Sequence, residues 1–357
     1  MRSELSYLRE TWYVAAWTSE LKPGAMLRRR LLDEFYVLLR DPSGQPVALV
    51  DRCPHRFAPL SMGKLIADGT VIQCPYHGLQ FDLEGNCVRN PHGDGRVPRC
   101  KVPALPVVEK YSAAWIWMGA PESADPDLIP DFGFLSPDNN AVACDRITIA
   151  SHFELETDNI LDLSHIEYIH PLFSSESVSQ GEYECVVEGD TVWSKRYIRD
   201  DRLPQFLHDA FGLVPGQTAD RWLNTRWDAP ACMALWTGAV ASGKSREQGR
   251  ETVGAHLFTP ETKDSTHYFF ATSFPRSIGP EAQRLADESI AVATGPKGVF
   301  TMEDKPIIEA QAENMRGQDF WDLQPRLLSI DAASVRARHI LAKKIKAETS
   351  ATESAGA

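Results

Sequence analysis

Cys53-Pro-His-Arg-Phe-Ala-Pro-Leu-Ser61 and Cys74-Pro-Tyr-His-Gly78 stand out from a sequence of otherwise ordinary composition. Each stretch opens on a cysteine and carries a histidine two or three positions later. Small or rigid residues (Pro54, Ala58, Pro59, Pro75, Gly78) surround them, and 18 residues separate His55 from Cys74. A lone cysteine is usually a core residue and a lone histidine a cap or a surface group. Two thiols and two imidazoles on paired short loops are instead metal-ligand chemistry.

The surroundings of these loops are β in character. Residues 27–40 end in an apolar strand-like run, 41–46 form a turn cluster, and 47–50 resume the strand. A hairpin is expected where 80–82 meets 87–88, and 113–118 reads as a buried strand. The stretch 120–130 holds Pro121, Pro126 and Pro130 among several acids, which marks a surface crossing. We therefore place a domain boundary near residue 125. Beyond it, residues 152–170 turn helical in their second half. Residues 185–198, 231–241 and 252–273 are strand-like, while 282–316 and 331–347 read as helices, with Asp331 as an N-cap. Residues 348–357 read as a disordered tail. The expected fold class is α+β: an N-terminal all-β domain (1–125), then a domain (126–347) with an antiparallel sheet covered by helices.

Composition limits the function classes. Lys+Arg is 37 against 49 Asp+Glu, a net charge of −12 over 357 residues, the wrong sign for a general nucleic-acid binder. There is no apolar run of the ~18–20 residues that a membrane span needs. The N-terminus is charged and shows no secretory h-region, which points to a cytoplasmic protein. Seven cysteines are an odd number for a disulfide framework and suit thiols or ligands in a reducing compartment.

Two metals compete for the cysteine–histidine loops. A zinc site uses the same residue types, and a zinc-stabilised binding module is one alternative. A Rieske [2Fe-2S] centre holds one iron by two thiolates and the other by two imidazoles. Each loop here donates one of each, which suits a cluster with chemically distinct ends. Respiratory-type Rieske proteins carry an extra cysteine in each loop. None follows His55 in the corresponding region, and position 76 is Tyr, so a quinol-oxidising role is disfavoured.

The segment Glu156-Thr-Asp-Asn-Ile-Leu-Asp-Leu-Ser-His-Ile-Glu-Tyr-Ile-His170-Pro171 is a second candidate. Asp162 and His165 are i,i+3 and share a helical face. His165 and His170 are i,i+5, about 140° apart on an ideal helix and too wide for easy chelation. Pro171 pushes residue 170 out of the α region, so His170 can swing toward His165 at a helix end. Two histidines and one carboxylate make the facial triad of non-haem Fe(II) oxygenases, with positions left open for O2 and substrate.

These motifs, with residues 12–16, 90–93, 106–109 and 115–117, resemble the oxygenase components of Rieske non-haem iron oxygenases. The similarity is to the group of vanillate O-demethylase, dicamba O-demethylase and toluenesulfonate methyl-monooxygenase. The resemblance implies Cys53, His55, Cys74 and His77 as ligands of a Rieske [2Fe-2S] cluster. It implies His165 and His170 as ligands of a mononuclear Fe(II), with O2 as co-substrate. Asp304 is the matching third ligand, Glu303 its competitor and Glu309 a distant third. Asn159 would lie beside the iron. Asp162 would bridge an iron-ligand histidine to a cluster histidine of a neighbouring subunit, in a head-to-tail homotrimer.

The same resemblance implies a monooxygenase or O-demethylase acting on an aromatic acid. Ring cis-dihydroxylation and a Rieske electron carrier without oxygenase activity are the alternatives. His256 is similar to a substrate-facing histidine of the family, and Leu235 and Trp236 are further pocket candidates, with His267. A relative has Asn near 235–236, so its acid-binding amide would be missing here. The chain shows no flavin or nicotinamide fingerprint, since Gly93-Asp-Gly95 lacks a third glycine and a helix start. Electrons must come from an external ferredoxin or NAD(P)H-dependent reductase. Residues 51–101 hold seven Lys/Arg against five acids, a basic region suited to docking an acidic donor.

Overall fold

A computed structural model describes residues 7–355, in two units. One unit runs to Ile129 and includes Thr259–Thr262; the other comprises Pro130–Phe258 and residues from Lys263 onward. Each is built on antiparallel sheet, as alternating apolar segments joined by short turns require. The chain is an N-terminal β Rieske-type domain followed by a mixed α/β domain.

In the first unit, strands Trp12–Trp17 and Ala113–Trp117 pair with every residue buried, because both faces are covered. A second sheet pairs Leu27–Leu31, Glu34–Arg40, Pro46–Val50 and Ala104–Leu105. The expected turn at 41–46 is its hairpin, closed by Asp41 N–H to the Gln45 carbonyl at 2.9 Å. A third, small sheet orders Lys64–Ile66, Val71–Gln73, Gln80–Asp82 and Cys87–Arg89. Its hairpin between Gln73 and Gln80 carries the Cys74 loop. The Cys53 loop enters it from Pro46–Val50.

The second unit is a seven-stranded antiparallel sheet. Its spatial order is Asn140–Ile149, Ser265–Pro275, Arg250–Thr262, Cys232–Ala241, Ala219–Asp228, Thr191–Asp201 and Glu182–Glu188. Its helices are α1 (Phe153–Leu161), α2 (Ile166–Ile169), α3 (Gln205–Phe211), α4 (Glu281–Ala293), α5 (Lys305–Met315) and α6 (Ala332–Ala355). Among the described residues no helix is long and apolar enough to cross a membrane.

The structure differs from expectation in several places. The runs at 185–198 and 252–273 are each two strands, turned at Gly189-Asp190 and Lys263-Asp264. Strands Asn140–Ile149 and Ala219–Asp228 are not marked in the sequence, since charged Asp145, Arg146, Arg221 and Arg226 break their apolar pattern. The expected helix 282–316 is interrupted. Gly295, Pro296 and Gly298 end α4, and a π-helical turn, Phe300–Asp304, opens α5. Asp331 does not cap α6 as expected. Its Oδ2 accepts the Leu328 N–H at 2.6 Å in a preceding 3-10 turn. Finally, α6 runs to Ala355, through most of the stretch expected to be a disordered tail. Its alanines, glutamate and lysines are good helix formers that let the helix propagate; residues 356–357 lie outside the described residues.

Candidate metal centres

The two cysteine loops repeat one backbone scheme. Cys53 N–H donates to Ala58 O (2.9 Å) and Cys74 N–H to Leu79 O (2.8 Å). Phe57 N–H returns to Cys53 O (2.8 Å) and Gly78 N–H to Cys74 O (3.2 Å). The equivalent fifth positions, Phe57 (φ 59) and Gly78 (φ 71), are both left-handed. For Phe57 that conformation carries strain, which the loop must over-determine. The scheme buries both sulfurs and leaves both imidazoles toward the surface, with the His55 and His77 rings 4.6 Å apart.

Burial pushes the Cys53 thiol up to about 11, with the Cys74 thiol beside it. The N–H groups of His55 and Arg56 hydrogen-bond its sulfur and pull the other way. His77 is lowered by desolvation and by His55, which favours the neutral, ligating imidazole. His92 Nε2 lies 2.7 Å from the His77 carbonyl and braces that loop. Two buried sulfurs, one receiving backbone amides, and two adjacent imidazoles at the rim fit a Rieske [2Fe-2S] cluster.

The second centre forms where α1 ends. Asp162 leaves helical geometry (φ −119, ψ 95), a 3-10 turn Leu163–His165 follows, and α2 ends at His170 (φ −116, ψ 77). His170 thus departs from the helix where Pro171 demands it, and the His165 and His170 rings come within 5.1 Å. The π-helical turn brings Asp304 to them. His165 Nε2 is 3.5 Å from Asp304 Oδ1, and His170 Nε2 is 3.3 Å from Asp304 Oδ2. One ligand atom from each residue lies within 4.8 Å of the others.

The protons on these rings are legible. His165 Nδ1–H donates to the Asp162 carbonyl (2.6 Å), and His170 Nδ1–H donates to Glu303 Oε2 (2.7 Å). With the Nδ1 protons so placed, the neutral form of each ring, the form that ligates a metal, turns its Nε2 lone pair toward Asp304. Asp304 Oδ2 is buried and has no hydrogen-bond partner. Two lone pairs and an orphaned carboxylate oxygen facing one point need a cation there, and two histidines with one carboxylate suit Fe(II). Burial lowers His165. Burial works against charge on His170 too, but Asp304 and Glu303 outweigh it and raise the group.

The sequence expectations resolve as follows. Asn159 Nδ2 donates to Asp304 Oδ1 at 2.9 Å, so it orients the acid. Glu303, weighed as a rival ligand, instead holds His170 from the far ring edge. Glu309 is away from the cluster: its Oε1 accepts the Ala150 N–H and sits 3.7 Å from Lys305 Nζ. The side chain of Asp162 does not meet His165; its carbonyl does. The carboxylate accepts Ser164 N–H and Oγ–H (both 3.0 Å) and lies 3.5 Å from Arg196 Nη2. Position explains these contacts: Asp162 is the N-cap of the 3-10 turn, and its carboxylate accepts from that turn.

Strand pairing separates the pocket candidates. Leu235 opposes Gly254 and Met233 opposes His256, so alternation puts Leu235, Gly254 and His256 on one face. Thr225, opposite Leu235, donates to Ile160 O of α1, so this face carries the iron-site helices. Trp236 projects to the other face, against Trp193 and Arg226, and is not brought to the metal. His267 bonds Arg146 Nη1 at 3.2 Å. Tyr268 and Phe300, unmarked in the sequence, wall His256 with ring centroids 5.9 and 5.6 Å away.

A Rieske-type domain followed by a His/His/Asp iron domain is the make-up of a Rieske non-haem iron oxygenase. Residues 11–109 match the Rieske [2Fe-2S] domain, and residues 149–347 match the vanillate O-demethylase oxygenase C-terminal domain. The chain belongs to the family of vanillate O-demethylase-type oxygenase components. It is 36 % identical over 345 residues to the oxygenase component of chloroacetanilide N-alkylformylase from Rhizorhabdus wittichii (strain DC-6 / KACC 16600), covering 96 % of this chain and 97 % of that one. It is 36 % identical over 339 residues to the dicamba O-demethylase oxygenase component of Stenotrophomonas maltophilia, covering 93 % and 96 %. The crystal structure of dicamba monooxygenase bound to dicamba superposes with a TM-score of 0.84 at 34 % identity, over 97 % of this chain and 99 % of that one. The protein is thus an oxidoreductase with a Rieske [2Fe-2S] cluster and a mononuclear non-haem iron.

Proposed function

We propose that this chain is the terminal oxygenase of a multicomponent system that O-demethylates, or monooxygenates a methyl group of, an aromatic acid. The observation that carries this is the His165, His170 and Asp304 set, with its unpartnered buried Oδ2. Cys53, His55, Cys74 and His77 would hold the cluster, which supplies electrons, and the three-residue set the iron, which activates O2. Demethylation balances as one O2, two electrons and two protons per methoxy group, giving phenol, formaldehyde and water. The relatives support an alkyl-group reaction, since one is named a dicamba O-demethylase and another an N-alkylformylase.

The chain's own residues define the rest of the proposal. Glu303 and the Asp162 carbonyl hold the ligand imidazoles, and Asn159 holds Asp304. Phe57 and Met62 are each 70 % exposed and Tyr76 is 59 % exposed, an apolar rim around the cluster histidines. Tyr168 (72 %) and Met302 (57 %) are likewise exposed near the iron ligands. These two surfaces suit a head-to-tail homotrimer in which the carboxylate of Asp162 meets the partner subunit's His77. Arg56, Arg89, Arg96, Arg99 and Lys101 are exposed on the cluster unit and would dock an acidic ferredoxin or reductase. None of the seven cysteines is in a disulfide, and the five outside the proposed cluster suit a reducing cytoplasm.

The test is oxygen uptake by the reduced protein with methoxybenzoates, phthalates and sulfonated aromatics, with formaldehyde measured alongside. Formaldehyde matching O2 consumed supports demethylation. A cis-diol without formaldehyde would replace it with ring dihydroxylation, and no uptake with any compound would overturn the oxygenase reading of the substrate.

A further inference from the structure

Strand pairing sets Cys87 and Cys100 face to face. Asn86 bridges Lys101 in antiparallel register, which puts Cys87 directly opposite Cys100, and Cys87 N–H donates to the Cys100 carbonyl at 3.2 Å. Opposed residues of an antiparallel pair have Cα atoms about 4.5–5.5 Å apart, inside the ~4.4–6.8 Å that a disulfide spans. Both cysteines are free, half-buried and packed on the edge of the β-domain core. Each is held by its surroundings yet reachable from solvent. Cys87 Sγ lies 3.8 Å from the Arg89 carbonyl. Burial raises the Cys87 thiol to about 11, and the Cys100 thiol beside it adds to the rise. Neither residue belongs to either metal centre.

The chain between them is the twelve-residue loop 88–99, in which every residue but Asn90 is exposed. Its internal bonds are local: Asn90 Nδ2 donates to Arg96 O (3.0 Å) and Gly95 N–H to His92 O (3.0 Å). Its outward contacts reach the second cysteine loop of the cluster. His92 Nε2 lies 2.7 Å from the His77 carbonyl, and a Cβ built on Gly78 would stand 3.3 Å from Pro91 Cγ. The loop therefore has two anchors, the cysteine pair at its base and His77-Gly78 nearer its tip. No covalent bond closes the base while both thiols are reduced.

We propose that Cys87 and Cys100 are a peroxide-oxidisable dithiol, closing to a disulfide that ties the base of the 88–99 loop and holds it against the cluster loop. The oxidant is hydrogen peroxide from solution. Cys100 Sγ attacks one peroxide oxygen, the O–O bond breaks, and a sulfenic acid and one water form. Cys87, the more weakly ionised thiol, resolves it: its sulfur displaces the hydroxyl, the S–S bond forms and a second water leaves. Two electrons pass from the dithiol to the peroxide, and both thiol hydrogens end in water. Closing the loop removes freedom that it would gain on peeling away, so the oxidised protein holds its cluster longer. The inference concerns the cluster domain and does not depend on the substrate.

The test uses the holoenzyme with its cluster in place. Protein is treated with a few equivalents of hydrogen peroxide, cleared with catalase, alkylated with iodoacetamide and mapped by peptide mass spectrometry without reductant. The expected product is one cross-linked peptide pair joining Cys87 to Cys100, separated again by thioredoxin. Cluster loss is then followed by visible absorption and acid-labile sulfide, in dilute guanidinium with a chelator. It should be about tenfold slower in the oxidised protein than in the same sample re-reduced with thioredoxin. Cys87→Ser and Cys100→Ser should show no such difference. Two alkylated thiols after peroxide, or a link from either cysteine to another partner, would overturn the proposal. So would equal rates of cluster loss with the Cys87–Cys100 link formed. Should the serine variants not fold, the wild type before and after re-reduction decides.

Discussion

Glu303 Oε2 lies 2.7 Å from His170 Nδ1, on the ring edge opposite the one that faces Asp304. Consecutive acids therefore hold one imidazole from both sides. An α-helical turn separates neighbours by about 100°; the wider π-helical turn brings both to the same ring. The partner on Nδ1 fixes the tautomer and raises the basicity of Nε2.

Glu303→Ala should lower iron affinity by about 10–100-fold while leaving the cluster in place. Glu303→Gln, whose amide oxygen still accepts, should lose less. Iron and acid-labile sulfide per chain after dialysis against a chelator measure both. Full iron retention in Glu303→Ala would remove this role.

Asp162→Asn should keep the fold, because an amide oxygen still accepts the Ser164 N–H. It should keep both metals as well. Turnover should fall at least tenfold, by weakening the proposed bridge to the partner subunit's His77. Wild-type turnover with full metal content would exclude that bridge.

Glu156 should make the protein less stable as pH rises. It is 1 % exposed, Ser151 Oγ donates to its Oε1 at 2.5 Å, and its Oε2 has no partner. Burial raises its pKa from 4.5 to about 8. The folded state thus holds a proton that the unfolded state releases above about pH 4.5. Its contribution is fully present below that pH and is lost as pH climbs through about 8. Glu156→Gln should melt higher than wild type at pH 8.5, with the gap closing toward pH 5. A pH-independent gap would contradict this.

Arg338 ties α6 to α1. Its guanidinium is 6 % exposed, 2.7 Å from Asp158 Oδ2 and 3.0 Å from Glu154 Oε2. Burial raises Asp158 to about 6 and raises Glu154, with Arg338 opposing both. Arg338→Met leaves two half-buried carboxylates without their cation and should lower stability near pH 8 by less than the ~3–5 kcal/mol of a fully buried pair. The cost should shrink below about pH 6, where the acids take protons. Thermal melting at both pH values checks it.

Much of both centres is legible before folding, for local reasons. Cys53, His55, Cys74 and His77 sit on short loops, and loops of fixed length and turn chemistry bring their own ligands together. His165 and His170 lie five residues apart, and Pro171 announces the distortion that joins them. Other features depend on partners far along the chain. Asp304 is 134 positions after His170, and nothing between Met302 and Glu309 separates ligand from neighbour until the π-helical turn forms. Trp236 and Leu235 read alike in sequence, but strand register sends them to opposite faces. Tyr268 looks like one more core aromatic in a buried strand.

The sequence alone determined the chemistry: two metal donor sets and an antiparallel architecture. These depend on residue type and short spacing, where covalent geometry limits the outcomes. Only the tertiary structure decided which acid faces the iron site, which acid steadies His170, which part of Asp162 touches His165 and which side chain meets His256 Nδ1. Those are matters of direction. A side chain's direction follows from register and helix phase, which are set when distant segments pack and every buried donor must find an acceptor.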